Sequence, residues 1–260
     1  MVRELRRLLI PPERLLAAAG AAGTVELQLE SNEAHYLGRV LRLRPGDRFA
    51  VVDGAGRLWS AALRQADRAE LEQPLAAPLE LERQPFPLLE LAVALPRRDA
   101  DVLLRMVVEL GIDRFTPLRA ERSVGPEPLK PERGAAILRE ALEQCERLWQ
   151  PQLAAAVPAT ALLGGSLPAG RRRGLLATTR RSGTPLLLEA LASEWSSQRS
   201  NEQASVMVAI GPEGGWSQAE EALALKQGWQ PVSLGGGILR CSTAAVTAAG
   251  LLSCWRDQLT

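Results

Sequence analysis

From Leu88 onward the sequence alternates short continuous apolar runs with longer stretches of helical periodicity, and this alternation restricts the possible folds more than any other feature. LLELAVALP reads as a strand and DADVLLRMVVELG as a helix ended by Gly111; DRFTPL is a second strand and PERGAAILREALEQCERLW a second helix. GLLATT, ASVMVAI and QPVSL are further strand-like runs, with helices expected after Pro185, Ser217 and Cys241. Strands and helices taking turns in this way predict an α/β layer with a mostly parallel sheet.

Two of these strands run into bare glycine loops. In AIGPEGGWSQAEE the apolar run breaks into Gly211-Pro212-Glu213-Gly214-Gly215 before a helix start at Ser217, where Ser217 and Glu220 fit a capping box. Taken alone, this is either a tight turn or a ligand loop. It lacks the lysine of a P-loop and the spacing of a dinucleotide fold, and Glu213 would repel a phosphate held there. The next strand leads into LGGGILR, with three glycines from Gly235 to Gly237. Two such loops after consecutive strands would lie side by side at the carboxyl edge of the sheet and could enclose a small molecule. The small residues Ala244, Ala245, Ala248, Ala249 and Gly250 that follow suit close helix packing, with a cofactor contact as the alternative.

Upstream, residues 24 to 71 have the alternation of a small β-rich module, with a turn at Asp53-Gly54. Within it, HYLGRVLRLRPGD places Leu37, Val40 and Leu41 at helical spacing; Arg39, Arg42 and Arg44 fall elsewhere, either gripping RNA phosphates or forming a solvated face. Four prolines in QPLAAPLELERQPFP mark the best candidate linker. The expected division is therefore a β module over residues 1–74, a linker over 75–87 and the α/β domain over 88–260.

Charge excludes little, since 31 Lys+Arg face 30 Asp+Glu and any nucleic-acid surface must be a local patch. Cys145, Cys241 and Cys254 are widely separated, and His35 is the sole histidine, so neither a disulfide framework nor a metal site is expected. No apolar stretch approaches the length of a membrane span, which suggests a cytoplasmic protein.

IGPEGGWSQAEE, LGGGILRCSTAA, MVVELGIDRFTPLRAERSV and EALEQCERLWQP together resemble the ribosomal RNA uridine-N3 methyltransferase family that acts on 16S ribosomal RNA, within the SPOUT superfamily. The resemblance covers nearly the whole chain, including HYLGRVLRLRPGD. It implies an N-terminal PUA-like β-barrel, a C-terminal α/β domain tied in a trefoil knot, a homodimer, and methylation of 16S ribosomal RNA or the small-subunit particle with S-adenosylmethionine. Other SPOUT activities, on a ribose 2′-oxygen or guanine N1, are the alternatives, as is a non-catalytic RNA-binding protein with a vestigial pocket.

Carried onto this chain, the resemblance places the cofactor among three loops. The first holds Leu176, Ala177, Thr178 and Thr179; the second runs from Ile210 through Gly211, Pro212, Glu213 and Gly214 to Gly215. The third holds Leu234, Gly235, Gly237, Ile238, Leu239 and Arg240, followed by Ser242 and Ala244. Arg240 is the candidate for stabilising charge on the uracil carbonyls, and Glu213 is either a base or a brace for its loop. Arg122 and Arg147 match family motif positions and are expected to touch RNA. The family pattern resembles ILRTETA where this chain has ILRCSTA, so Cys241 replaces Thr and Ser242 replaces Glu; nitrogen methylation needs no cysteine nucleophile. Trp149, Trp195, Trp229 and Trp255 are core or interface candidates, while Trp216 lies in a ligand loop.

Overall fold

The computed structural model describes residues 5–20, 25–125, 129–167, 172–179, 181–194 and 204–259; Trp195 lies outside them. The chain divides into two compact units, Met1–Gln84 with Arg139–Gln150, and Pro85–Leu138 with Pro151–Thr260.

The first unit is a mixed sheet of β1 (Arg7–Leu9), β2 (Glu26–Gln28), β3 (Arg48–Val52), β4 (Arg57–Gln65), β5 (Arg68–Leu71) and β6 (Glu80–Leu81), with helices α1 (Pro12–Ala17) and α2 (Ser31–His35). Its strands run in the order β1-β3-β4-β5-β2, with β6 on β4, so Glu80 and Leu81 in the expected linker are part of the sheet. The β3–β4 turn forms at Asp53-Gly54 as its sequence predicts: the buried Asp53 carboxylate accepts from the Ala55 and Arg57 amides.

Alternation along these strands sends side chains to opposite faces. Leu8, Phe49, Val51, Trp59 and Leu63 pack in one apolar cluster. Leu9, Ala50, Val52 and Leu58 pack in another, which Leu142 and Leu148 complete. The second face of a small sheet must be covered, and residues 139–150 supply that cover from far along the chain.

The helix expected in HYLGRVLRLRPGD is different in the structure. The α-helix ends at His35, and Tyr36–Val40 is π-helical, with the Leu41 amide donating to the Tyr36 carbonyl at 2.9 Å. The wider turn leaves Val40 59% exposed although Leu37 is buried. Arg42 then takes φ +57°, so Arg39, Arg42 and Arg44 are all exposed but do not share one helix.

Glu143, half-buried, sits near the buried carboxylate of Glu33 in this unit. Its Oε1 accepts from the Leu9 amide at 2.9 Å, and Arg139 pairs with the nearby, almost fully buried Glu33 at 3.6 Å. Desolvation raises the Glu143 pKa to about 7, with the Glu33 and Glu140 charges adding to the rise and the Leu9 amide and Arg139 opposing it. The folded state thus holds this proton more tightly than the unfolded chain. The associated stability is fully present below about pH 4.5 and is lost as pH rises through about 7, a contribution of at most about 3 kcal/mol. Glu143→Gln, which keeps the acceptor for Leu9, is expected to raise the melting temperature at pH 8 and leave it nearly unchanged at pH 5. Equal changes at both pH values would exclude a buried titrating carboxyl.

The second unit carries an all-parallel sheet of β7 (Leu88–Val93), β8 (Arg114–Arg119), β9 (Gln152–Leu153), β10 (Val157–Pro158), β11 (Arg172–Ala177), β12 (Ser205–Ile210) and β13 (Gln230–Val232). Helices α3 (Ala100–Glu109), α4 (Pro131–Gln144), α5 (Ala159–Leu163), α6 (Leu187–Glu194), α7 (Gln218–Lys226) and α8 (Cys241–Asp257) alternate with it; the second half of α4 belongs to the first unit. The strand order is β10-β8-β7-β12-β11-β13, with β9 on β8. β7 and β12 lie in the middle, which is why both read as near-continuous apolar runs. Buried Ala245, Ala248 and Ala249 belong to α8, which packs on α3, α6, β7 and β12.

Because β13 lies outside β11 while α8 packs on β7 and β12, the segment after β13 must run back past the end of β11. The exit from β11 goes the other way: the Ser233 amide donates to the Pro185 carbonyl at 2.8 Å, and the Leu187 amide to the Ser233 carbonyl at 2.9 Å. The two connections meet beyond the end of β13, at the place where the family resemblance expects a trefoil.

Candidate active site

The carboxyl ends of β11, β12 and β13 open into a cavity of about 580 Å³, within the range of small-molecule sites. Its walls are Ala177 to Thr179, Ile210 to Trp216 and Ser233 to Leu239, with Cys241 and Ala244 from α8 and with Arg122, Arg181, Thr184 and Glu221 at its border.

The first glycine loop is held from several sides. The Gly215 amide donates to the Pro212 carbonyl at 2.8 Å, closing a turn that places Gly215 at φ +70°. The Trp216 indole donates to the Ala177 carbonyl at 3.0 Å and ties the loop to the end of β11. A Cβ on Gly211 would stand 3.0 Å from that indole, so a larger residue there would press the ring out by a few tenths of an ångström. One Arg122 nitrogen donates to both the Gly214 and Trp216 carbonyls at 3.1 Å. The capping box read from the sequence is formed by Ser217 and Glu220, and the buried Glu220 carboxylate also accepts from the Glu121 amide at 2.9 Å.

Glu213 contributes nothing to this bracing. It is exposed and, among the described residues, accepts no hydrogen bond. Its negative charge instead acts on the Cys241 thiol, which places the carboxylate near the first turn of α8. The expectation that Glu213 braces the loop gives way to Arg122, Trp216 and the capping box.

The second glycine loop is barer. Gly235 has φ +132°, and its amide and carbonyl both bond the Ser233 hydroxyl, at 3.3 and 3.1 Å. No atom lies within 4 Å of where a Cβ would stand on Gly235, Gly236 or Gly237, so open backbone faces the cavity. Ile238 beside them is 68% exposed. On the opposite wall the buried Thr178 and Thr184 hydroxyls have no partner among the described residues.

The structure gathers most of the expected cofactor set around this one space, but not Leu176, Arg240 or Ser242. Leu176 alternates with Ala177 along β11 and points into the apolar core with Ala92, Met207 and Ala209. Ser242 lies about 100° around α8 from Cys241; Cys241 and Ala244, three residues apart, share the face toward the cavity. Arg240 caps α8 with extended φ −62° and ψ 154° and exposes its side chain outside the cavity wall. Arg181, Thr184, Ser233 and Glu221 were not expected. Ser233 stands directly before the third loop and could have been found by extending it, and RSGTP has the composition of a turn after β11; Glu221, in α7, carried no such signal.

Among the expected RNA contacts, Arg122 is in the second unit at the cavity. Arg39, Arg42, Arg44 and the half-buried Arg147 belong to the first unit. No group of three or more potential metal ligands occurs among the described residues.

Burial, with the Glu213 charge adding to it, pushes the Cys241 thiol up to about 12, and its Sγ donates to the Ala94 carbonyl at 3.1 Å. A thiol so protonated is a poor nucleophile. In the native protein an aromatic disulfide reagent is expected to label the exposed Cys254 rapidly and to reach Cys241 only after unfolding. Labelling of Cys241 at the rate of Cys254 would contradict this.

The parallel sheet with a glycine-lined cavity at its carboxyl edge belongs to an RNA methyltransferase domain: residues 82–253 match the family described as "RNA methyltransferase domain". Residues 29–72 match "RNA methyltransferase PUA domain". The chain belongs to the ribosomal RNA small subunit methyltransferase E family. It is 38% identical over 244 residues to such a protein of Synechocystis, covering 93% of this chain and 75% of the relative. Another, from Rickettsia conorii, is 30% identical, with 90% and 92% covered. The crystal structure of ribosomal RNA small subunit methyltransferase E from Neisseria gonorrhoeae, bound to S-adenosyl methionine, aligns with a TM-score of 0.74 at 25% identity and covers 96% of this chain and 97% of that one.

Proposed function

We propose that this protein methylates N3 of a uridine in 16S ribosomal RNA, using S-adenosylmethionine. The observation that carries the reading is the cavity between the two glycine loops, whose bare main chain and two unpartnered threonine hydroxyls suit a ligand read by backbone and hydroxyl groups. In that site Gly235 to Gly237 would let the cofactor approach the backbone closely, and Thr178 and Thr184 would find the partners they lack. Bound there, the cofactor supplies an electrophilic methyl group.

The protein's own task is then to hold the uracil in line and to ease loss of its weakly acidic N3 proton. Glu213 is the candidate to accept that proton; its exposure and its place near the start of α8 support the reading. Arg240, adjacent in sequence to cavity-lining Leu239 and Cys241, offers a guanidinium to the negative charge that develops on the uracil carbonyls. If Glu213→Gln keeps near-normal turnover, the base assignment to Glu213 is wrong.

The same reading assigns RNA contact in the first unit to Arg39, Arg42, Arg44 and Arg147, and takes the protein to act in the cytoplasm as a homodimer without a metal. No helix among the described residues is long and apolar enough to cross a membrane. Calorimetric titration with S-adenosylmethionine is expected to give saturable heat at one site per chain. Absence of heat at high protein concentration would remove the enzymatic reading and favour a binding protein with a vestigial pocket.

A further inference from the structure

In a parallel sheet the loops leaving the strands meet at one edge, and in the second unit that edge holds the cavity. The loops 94–99, 119–125, 178–186, 211–217 and 233–240 carry six described arginines, Arg97, Arg98, Arg119, Arg122, Arg181 and Arg240, against three carboxylates, Asp99, Glu121 and Glu213. A chain that is nearly neutral overall is thus distinctly positive here. Arg119 donates to the Ala156 carbonyl and Arg122 to the glycine loop, while Arg240 is assigned to the reacting base.

Arg97 and Arg98, on the exit from β7, are different. Both are exposed, and among the described residues neither makes a hydrogen bond or ion pair. Their place relative to the site is fixed: Ala94, three residues before Arg97, accepts the bond from Cys241 on the cavity wall. Across from them, a Cβ on Gly125 in the β8 exit would stand 3.8 Å from the Arg97 Cδ, so Arg97 lies beside the loop that carries Arg122. Arg181 at the cavity border is likewise exposed and unpaired among the described residues.

We propose that Arg97 and Arg98, with Arg181, form a phosphate-binding collar that grips the RNA strand on either side of the target nucleotide, within the catalytic unit itself. Guanidinium forks suit phosphate oxygens, and exposed arginines without protein partners are free to release the counterions of an RNA strand. The carboxylates Asp99 and Glu121 confine the positive region to the strand's path. The collar rests on the methyltransferase reading for its substrate, but its test is one of binding.

The test measures binding of a short end-labelled RNA of mixed sequence across a series of KCl concentrations, for the full chain. Arg97→Gln/Arg98→Gln is expected to reduce the slope of log K against log salt by about 1.4 to 1.8, the value for two lost phosphate contacts. Arg97→Lys/Arg98→Lys should keep the wild-type slope. So should Arg114→Gln, whose exposed residue begins β8 at the far end of the sheet. S-adenosylmethionine affinity of the glutamine pair, measured by calorimetry, should match wild type and so shows that it is folded. An unchanged slope in the glutamine pair, or an equal loss in the lysine pair, overturns the collar. A wild-type protein with no salt-dependent RNA binding sinks the functional reading as a whole, whatever the variants do.

Discussion

Replacing Arg240 with alanine is expected to lower turnover on ribosomal RNA by about 10²–10³-fold, the range for removing one donor to a developing oxyanion. S-adenosylmethionine affinity should change by less than about threefold, on the order of 0.6 kcal/mol. The split follows from geometry. Arg240 caps α8 with an extended backbone, and its side chain is exposed and absent from the cavity wall, although both of its neighbours line that wall. A group outside the wall of the proposed cofactor cavity is the kind the proposed role on the reacting base requires. Arg240→Lys should recover part of the loss, since a point charge replaces the fork. Calorimetry and single-turnover kinetics separate the two quantities. Weakened cofactor binding with intact turnover would return Arg240 to the cofactor side, as the family resemblance first placed it.

Gly235→Ala should have the opposite signature. With φ at +132°, Gly235 occupies backbone space that side chains rarely enter, and its amide and carbonyl are both engaged by Ser233. A side chain there meets no steric block, because the space around it is open, so the effect must come from strain in the loop. Strain of about 1–3 kcal/mol relaxes by moving the loop, which should weaken S-adenosylmethionine binding by about 5- to 150-fold. The melting temperature should hardly move, because the loop is exposed and belongs to no apolar cluster. Gly236→Ala is the control: its Cβ also meets open space and its φ is not in the positive region, so the loss should be much smaller. Equal losses at both positions would mean that the ligand excludes any Cβ there, and that backbone strain is not the cause.

Much of the second unit was legible in the sequence because its signals are local. Continuous apolar runs gave β7 and β12, Gly111 marked the end of α3, and the Ser217–Glu220 box started α7. The two glycine loops pointed to a cavity but not to its layout: β11 lies between β12 and β13, so the loops flank the end of a third strand and do not lie side by side as consecutive strands suggested. Features set by distant segments were not legible. Leu142 and Leu148 cover a face of the first sheet across more than eighty intervening residues, and no local pattern encodes that docking. The π-helical turn after His35 changed which residues face inward, although the apolar spacing looked helical. Arg122 carried the composition of an RNA contact, yet its guanidinium supports the carbonyls of Gly214 and Trp216, a role visible only when β8 and β12 lie in one sheet. Glu213 shows the reverse: a carboxylate in a glycine turn suggests a local cap, but the turn is held by other groups and the carboxylate is left to the cavity.

The proposed reaction at this cavity is methylation of N3 of a uridine in 16S ribosomal RNA. Mass mapping of modified nucleosides in ribosomal RNA from a strain lacking the protein tests it most directly. The expected result is loss of 3-methyluridine at a single 16S position, restored by the wild-type chain and not by Arg240→Ala. Ribosomal RNA with an unchanged modification map would contradict it.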